Sequence, residues 1–225
     1  EEMSVLVYVE NWDGKFKKSS FELVSYAFAI AQQNGEEALA LSIGKVSSQE
    51  LEKLAQYGAS KVITITGDAF NQLDSAVYAK AISMAAEANN SSLIIMGNNN
   101  TGKGIAPRVA VRMKAGLATG VTALPLNQQP FTIRKNIFNG KAFGNQEIKS
   151  TYKVMTLAQN SFEISENPQS FQTEDFDPKI SSGELKTKVV SVDKVTDKLL
   201  LVDAEIVVSG GRGMKGPENW SPIEE

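Results

Sequence analysis

The hydrophobic positions between Ser4 and Arg112 follow two alternating spacings. Four short runs are almost continuously apolar and rich in β-branched residues, as expected for strands buried on both faces of a parallel sheet; they span residues 4–9, 38–43, 61–66 and 92–96. The segments between them repeat apolar residues every three or four positions, which predicts helices near residues 20–34, 48–57, 75–88 and from 103 onward. This order predicts βαβ units and an α/β fold, with a mostly parallel, Rossmann-like sheet and helices on both faces.

Polar residues and glycines mark the ends of these predicted helices. Ser19 and Glu22 have the spacing of a capping box at the start of the first helix, and Gly35 supplies a left-handed stop. Ser47 and Asp74 are the predicted N-caps of the second and third helices. These signals agree with the boundaries that the hydrophobic spacing indicates.

After Leu117 the pattern changes to consecutive strands without helices between them. The predicted strands are residues 121–126, 131–138, 141–149 and 151–158. Asn139-Gly140, between the second and the third, is a strong signal for a β-hairpin. We therefore expect antiparallel strands to be added at the end of the parallel sheet.

The chain divides into two parts near residue 185. Residues 1–185 form the predicted α/β domain, in which residues 158–185 are an exposed, acidic and mostly irregular connector. Residues 186–225 are expected to be a linker and the start of a second domain, with residues 204–208 as its opening strand. One strand and one loop cannot bury a core, so we expect this second domain to be truncated at Glu225.

The composition removes several classes of chemistry. The 225 residues include no His and no Cys, which excludes Ser-His-Asp and Cys-His nucleophile systems, thiol redox centres and disulfides. The net charge of −3 argues against a nucleic-acid binder. No apolar run approaches the about 20 residues of a membrane span, and the first residues lack a basic, apolar leader. We therefore expect no membrane insertion, and any targeting segment to have been removed.

The segment from Gly97 to Gly104 is close to a phosphate-binding P-loop. It lies between a strand and a helix, but Gly104 stands where a P-loop needs Ser or Thr to bind magnesium. We interpret it as a glycine-rich strand-to-helix turn at the carboxyl edge of the sheet, which can still bind an anion through helix amides. The alternative function is a stand-alone adenine-nucleotide-binding module of the universal-stress type that uses Gly97 to Lys103 against phosphate.

A second glycine-rich loop, Gly210-Gly211-Arg212-Gly213, follows the strand predicted at residues 204–208. Glycines after a strand let the backbone approach a ligand closely, and Arg212 adds a permanent cation with five donors. The pattern alone fits a cofactor loop and a surface turn equally. The acidic residues of the connector lack the spacing of a metal-binding loop, so no metal site is predicted.

Three separated segments, in order, resemble the alpha subunit of the electron transfer flavoprotein family. The first is residues 94–110, with Gly97, Gly102-Lys103 and the Pro107-Arg108-Val109-Ala110 helix start. The second is residues 133–142, similar to an R-x-I-Y-A-G-N-A run of the family. The third is residues 207–215, similar to V-V-S-G-G-R-G-x-K at the start of the family's flavin domain. The resemblance covers essentially the whole chain.

The resemblance implies a first domain of the adenine nucleotide alpha hydrolase-like fold that holds no nucleotide, followed by a domain that holds FAD. It implies an electron carrier subunit and not an enzyme, paired with a beta subunit in which AMP is expected. The heterodimer is expected to carry electrons from acyl-CoA and other flavin dehydrogenases, as in fatty acid beta-oxidation, to a respiratory quinone oxidoreductase. The expected location is the cytoplasm if the protein is bacterial and the mitochondrial matrix if it is eukaryotic.

The resemblance also assigns the candidate site. Arg212 matches the arginine at the FAD site, with Gly210, Gly211 and Gly213 as the other cofactor-binding residues, and no catalytic residue or metal ligand is implied. About a hundred residues of flavin domain would be absent after Glu225, so we expect mainly a scaffold that binds no FAD by itself. The beta subunit is expected to bind a face that includes the later strands.

Overall fold

Strands and helices alternate up to residue 121, and mostly strands follow to residue 175. The computed structural model describes residues 3–193, 201, 204 and 206–224. The helices are α1 (Lys18–Asn34), α2 (Ser48–Gln56), α3 (Ser75–Ala88), α4 (Asn100–Arg112) and α5 (Ser221–Glu224). The strands are β1 (Ser4–Val9), β2 (Asn11–Trp12), β3 (Lys15–Phe16), β4 (Glu37–Ile43), β5 (Lys61–Ile65), β6 (Ser91–Gly97), β7 (Gly116–Val121), β8 (Asn127–Gln128), β9 (Phe131–Ile137), β10 (Ala142–Glu147), β11 (Lys153–Leu157) and β12 (Thr173–Asp175).

The main sheet has ten strands in the order β10-β9-β7-β11-β6-β1-β4-β5-β12, with β8 paired to β9. From β7 to β12 in this order, neighbouring strands are parallel. At the other end, β9 and β10 are antiparallel. The predicted fold class, a mostly parallel α/β sheet with antiparallel strands added, is confirmed.

Each face of the sheet is covered by its own hydrophobic cluster. Alternate side chains of a strand point to opposite faces, so Val5 and Val7 of β1 pack with α1 and α2. Leu6 and Tyr8 of the same strand pack with α3 and α4. The continuous apolar runs of the central strands follow from this double coverage.

Two predicted strands lie in other places than expected. β7 covers Gly116–Val121, not residues 121–126, and β11 is parallel and lies between β6 and β7. The prediction that residues 151–158 add an antiparallel strand is therefore wrong. Val154, Met155 and Leu157 are all buried, as in a central strand. The hydrophobic pattern identifies such a strand but does not specify which strands flank it.

The predicted helix ends are confirmed at three places and wrong at one. The side chains of Ser47 and Asp74 accept hydrogen bonds from the first amides of α2 and α3, and Gly35 ends α1 in the left-handed conformation. The capping box predicted with Ser19 is absent, because α1 begins at Lys18 and its N-cap, Lys17, makes no side-chain cap bond. Glu22, the other half of that predicted box, binds a distant segment.

That segment begins the connector, and residues 159–187 are here called the strap. The backbone amides of residues 160–162 donate to the buried carboxylate of Glu22 on α1. Further along, β12 extends the sheet beside β5. The backbone of the strap is mostly irregular, as predicted, but the strap is bound to the domain and is not a free linker.

The end of the strap is bound to α3. Glu184 forms an ion pair of 2.5 Å with Lys80, and the Thr187 hydroxyl donates a hydrogen bond of 2.5 Å to Asp74. The bond from Thr187 is the main cause that lowers the pKa of the Asp74 carboxyl. Both contacts are exposed, so each adds little stability by itself and mainly directs the course of the chain.

The chain contains two units, Glu1–Thr187 and Lys188–Glu225. The second contains the Arg212–Met214 and Pro217–Asn219 turns and α5. In the opening strand predicted at 204–208, residues 204 and 206–208 are not in a strand, and Glu205 lies outside the described residues. Residues 194–200, 202, 203 and 225 of the predicted linker and domain start also lie outside them. The assignment of residues 186–225 to the start of a flavin domain stays a prediction.

Candidate functional site

The topology creates a crevice between β1 and β6. From β1 the chain continues to β4 and β5 on one side, and then returns to β6 on the other side. Ligands of open α/β sheets bind at such a reversal point, outside the carboxyl ends of the strands. Here those ends are Val9 and Gly97, so the residues that follow them are the ones able to meet a ligand.

Two polar side chains close this crevice. The Asn99 side-chain amide donates a hydrogen bond of 2.7 Å to the Glu10 carboxylate. The side-chain oxygen of Asn99 also accepts a 2.8 Å bond from the Gly102 amide and so caps α4. The arrangement puts a carboxylate where this topology would receive a phosphate, and like charges at that distance repel.

The P-loop-like segment is a short turn with packed glycines. β6 continues through Gly97 and α4 begins at Asn100, so only two residues connect them. A side chain at Gly102 would place its Cβ 1.8 Å from the Gly97 carbonyl oxygen. Gly102 is therefore required for the close approach of α4 to β6, which supports the interpretation as a strand-to-helix turn.

Beside this turn lies an open depression of about 440 Å³, lined by Asn98, Lys103, Pro107, Thr119 and Gly120. The buried hydroxyl of Thr156 accepts a 3.0 Å bond from the Gly120 amide and donates a 2.9 Å bond to the Asn98 side-chain oxygen. These bonds hold the lining in place.

The depression offers polar contacts and one cation. Its lining residues include no carboxylate, so it has no general base of the Asp or Glu type. Its chemistry is therefore limited to binding. Among the described residues, no group of three or more carboxylates has the geometry to hold a metal ion.

All four predicted cofactor-binding residues lie together in the second unit. Arg212 begins a single 3-10 turn, Arg212–Met214, closed by a 3.0 Å bond from the Met214 amide to the Gly211 carbonyl. Gly210, Gly211 and Gly213 do not have positive φ angles, so backbone strain does not explain their presence. An added Cβ at Gly211 or Gly213 would meet no atom within 4 Å, whereas one at Gly210 would clash with Met214.

The Arg212 side chain is exposed. Within the part of the chain that the structure describes, its guanidinium has no ion pair or side-chain hydrogen bond. The loop thus presents an open backbone and an uncompensated cation on one short segment. This is compatible with an anionic ligand, and the role of Arg212 in binding FAD stays a prediction.

Three buried tyrosines carry the other shifted groups near the sheet. Burial raises the pKa of Tyr8, with further contributions from the charge of Glu10 and from Tyr78. Burial and Glu10 raise the pKa of Tyr78 to about 12. Burial alone raises the pKa of Tyr26, whose hydroxyl donates a 2.8 Å bond to the Ala123 carbonyl. These tyrosines stay neutral and act in packing, not as acids or bases.

Sequence reasoning missed Glu10, Asn99 and Thr156 as residues of the carboxyl edge. Glu10 and Asn99 follow the two strands that flank the reversal point, so the available signal was a polar residue directly after each of two adjacent parallel strands. Thr156 lies inside β11, whose central position the sequence did not indicate.

Comparison with known proteins gives consistent matches along the chain. Residues 5–196 match a family described as "Electron transfer flavoprotein domain". The "Electron transfer flavoprotein subunit alpha" of Bacillus subtilis (strain 168) is 27% identical over 224 residues, which cover 98% of this chain and 68% of that protein. Its counterpart in Thermoanaerobacterium thermosaccharolyticum is 25% identical over 226 residues, with the same coverage of each chain. The "Lactate dehydrogenase (NAD(+),ferredoxin) subunit LctC" of Acetobacterium woodii is 26% identical over 230 residues, covering 98% of this chain and 54% of that protein.

Proposed function

Because this chain belongs to the electron transfer flavoprotein family, we propose that it serves as the alpha-type subunit of a heterodimeric electron carrier. The match over residues 5–196 carries this proposal, since it extends through the α/β unit and beyond the strap. The described residues favour a carrier over a catalyst, because the depression at the carboxyl edge offers binding groups without a general base.

FAD is the cofactor that the family implies, and the second unit fits it in part. Gly211 and Gly213 leave space beside the backbone, and Arg212 presents a cation with nothing described to neutralise it. In this proposal Arg212 binds an anionic part of FAD through its planar donors. FAD, when bound, supplies the electron-accepting chemistry, while the protein orients it and tunes its potential.

The first unit, in this proposal, is a scaffold that holds no nucleotide of its own. The Asn99–Glu10 bond fills the crevice at the reversal point and leaves a carboxylate there. The same observation disfavours the alternative of an adenine-nucleotide-binding module, because phosphate would have to approach Glu10. AMP is then expected in the beta-type subunit and not in this chain.

The proposed electron donors are acyl-CoA and other flavin dehydrogenases, with a quinone oxidoreductase as acceptor, as in fatty acid beta-oxidation. The name of the LctC relative refers to lactate, NAD and ferredoxin, which makes a lactate-linked donor the main competing choice. The relatives named above are bacterial, which supports the proposed cytoplasmic location.

The test is to express the complete gene product together with the beta-type subunit from the same genome. We expect the two chains to co-purify with a flavin absorption spectrum, and the flavin to be bleached by an acyl-CoA dehydrogenase and its substrate. Calorimetric titration of the chain alone with ATP and AMP should give no heat of binding. Micromolar nucleotide binding by the chain alone, with no complex formed, would contradict the proposal and favour the nucleotide-binding module.

A further inference from the structure

The β9–β10 hairpin at the end of the sheet exposes two aromatic side chains. Phe131 and Ile133 of β9 are buried in the core under α1. Phe138 in the turn is 76% exposed, and Phe143 on β10 is 61% exposed. Large apolar side chains exposed next to each other lose the free energy of burial and often mark an interaction surface.

The turn of this hairpin holds Phe138 in an unfavourable backbone conformation. Phe138, Asn139 and Gly140 have φ angles of 52°, 55° and 82°. The left-handed region is ordinary for Gly and Asn but costly for a bulky residue. Packing within the chain does not compensate this cost, because the ring is mostly exposed. A strained residue that no internal contact supports is a reason to look for an external one.

The hairpin is also basic in an acidic chain. Residues 131–153 contain five basic residues and one acidic residue, whereas the whole chain has a net charge of −3. The guanidinium of Arg134 lies 4.2 Å from the centre of the Phe143 ring, and Lys141 is exposed directly after the turn. Apolar anchors are thus surrounded by cations on one surface, which we call the hairpin face (Arg134, Asn136, Phe138, Lys141 and Phe143).

We propose that the hairpin face docks the beta-type subunit, through a complementary surface that is acidic and has an apolar recess for the Phe138 ring. This inference rests on the proposed function. Buried aromatic anchors dominate the energy of protein interfaces, and complementary charges increase the association rate and specificity. The free edge of β10, the last strand in the sheet order, adds unpaired backbone groups beside these anchors.

A second copy of this chain fits the hairpin face less well. In a two-fold symmetric dimer the same patch lies on both sides of the interface, so two basic surfaces would face each other. Such like-charge contacts cost binding energy. An acidic partner removes this cost, and the basic rim then selects for it.

The experiment measures binding of the complete gene product to the beta-type subunit by calorimetry. We expect Phe138→Ala to weaken the affinity about tenfold or more and Lys141→Glu to weaken it further, with a smaller salt dependence. The matched controls are Val111→Ala, an exposed apolar residue on α4, and Lys45→Glu, an exposed lysine elsewhere, which should each stay within about twofold of wild type.

Phe138→Gly separates docking from a simple turn role. Glycine tolerates the left-handed conformation, so this variant should raise the melting temperature of the free chain while it weakens binding as much as the alanine variant. Wild-type affinity in both Phe138 variants and in Lys141→Glu would overturn the inference and leave the proposed function standing. Failure of the wild-type chain to bind the beta-type subunit would overturn both, and self-association abolished by the same variants would assign the face to a second copy instead.

Discussion

The carboxylate of Glu22 on α1 accepts a 2.8 Å hydrogen bond from the backbone N–H of Ser161, across 139 positions of sequence. The same carboxylate accepts bonds from the amides of Asn160 and Phe162, and the Glu22 side chain is almost fully buried. One acidic residue therefore satisfies three amides of the chain as it leaves the sheet after β11. The first helix and the start of the strap are fixed to each other by this contact.

Replacing Glu22 with Ala should destabilise the domain by about 2–4 kcal/mol, because buried amide donors would lose their acceptor. Urea unfolding followed by circular dichroism measures this loss. Glu52→Ala is the matched control, since Glu52 is an exposed glutamate on a neighbouring helix and should change the stability by less than about 0.5 kcal/mol. Equal stabilities of the two variants would contradict the role given to Glu22.

Asn99→Asp should place a second carboxylate beside Glu10 while keeping an acceptor for the cap of α4. We expect a loss of about 1 kcal/mol at neutral pH, from the lost donor and the charge repulsion. The loss should shrink when Glu10→Gln is added, because the neutral amide can donate to the new carboxylate. A double-mutant cycle of unfolding free energies tests this coupling. Strictly additive effects would show that the two side chains do not interact.

The pH dependence of stability should depend on Glu50. Burial would raise the pKa of its carboxyl, but hydrogen bonds from Lys53, from the Phe16 amide and from Lys15 outweigh this effect and lower the pKa. A pKa that is lower in the folded chain than the unfolded value of about 4.3 gives stabilisation that is complete above that value. It is lost as the pH falls through the folded pKa.

Glu50→Gln should therefore flatten the fall in unfolding free energy between about pH 5 and about pH 3. Urea unfolding at a series of pH values measures the slope. Glu52→Gln on the same helix serves as the control, because its carboxyl is exposed. If the Glu50 variant and the wild type lose stability at the same rate over this range, the carboxylate of Glu50 does not contribute as described.

Arg212→Ala should weaken FAD retention, or lower the reduction potential of the flavin, in the heterodimer formed by the complete gene product. The physical reason is the loss of a permanent cation near an anionic part of the cofactor. Arg212→Lys should restore only part of the effect, because an ammonium lacks the planar donor fork. Equilibrium dialysis of FAD and a spectroscopic redox titration provide the two measurements. Unchanged values in the alanine variant would make Arg212 a surface turn residue.

Most of the fold follows from local patterns, and the departures have identifiable causes. The buried runs of β1, β4, β5 and β6 and the caps at Ser47 and Asp74 are encoded within a few residues of each position. The place of β11 is not, because its neighbours are selected by packing across the whole sheet. The same reason explains Glu22, whose spacing from Ser19 suggested a local cap although its partners lie at the other end of the domain.

The candidate site shows the same division. The glycines of the Gly97–Gly104 turn were recognisable as a strand-to-helix connection, since Gly104 breaks the magnesium-binding pattern. The Asn99–Glu10 bond was not, because it joins residues 89 positions apart that meet only when β1 and β6 become neighbours.

The strap also determines where the first domain can be separated from the rest of the chain. The last central strand ends at Leu157, which would be the natural place for an engineer to cut. A fragment ending there would lose the amides that bind Glu22, the β12 residues that pair with β5, and the side chains that bind α3. The shortest autonomous fragment must therefore extend to about Thr187, and a gene fusion or protease site placed in the strap would divide one folding unit.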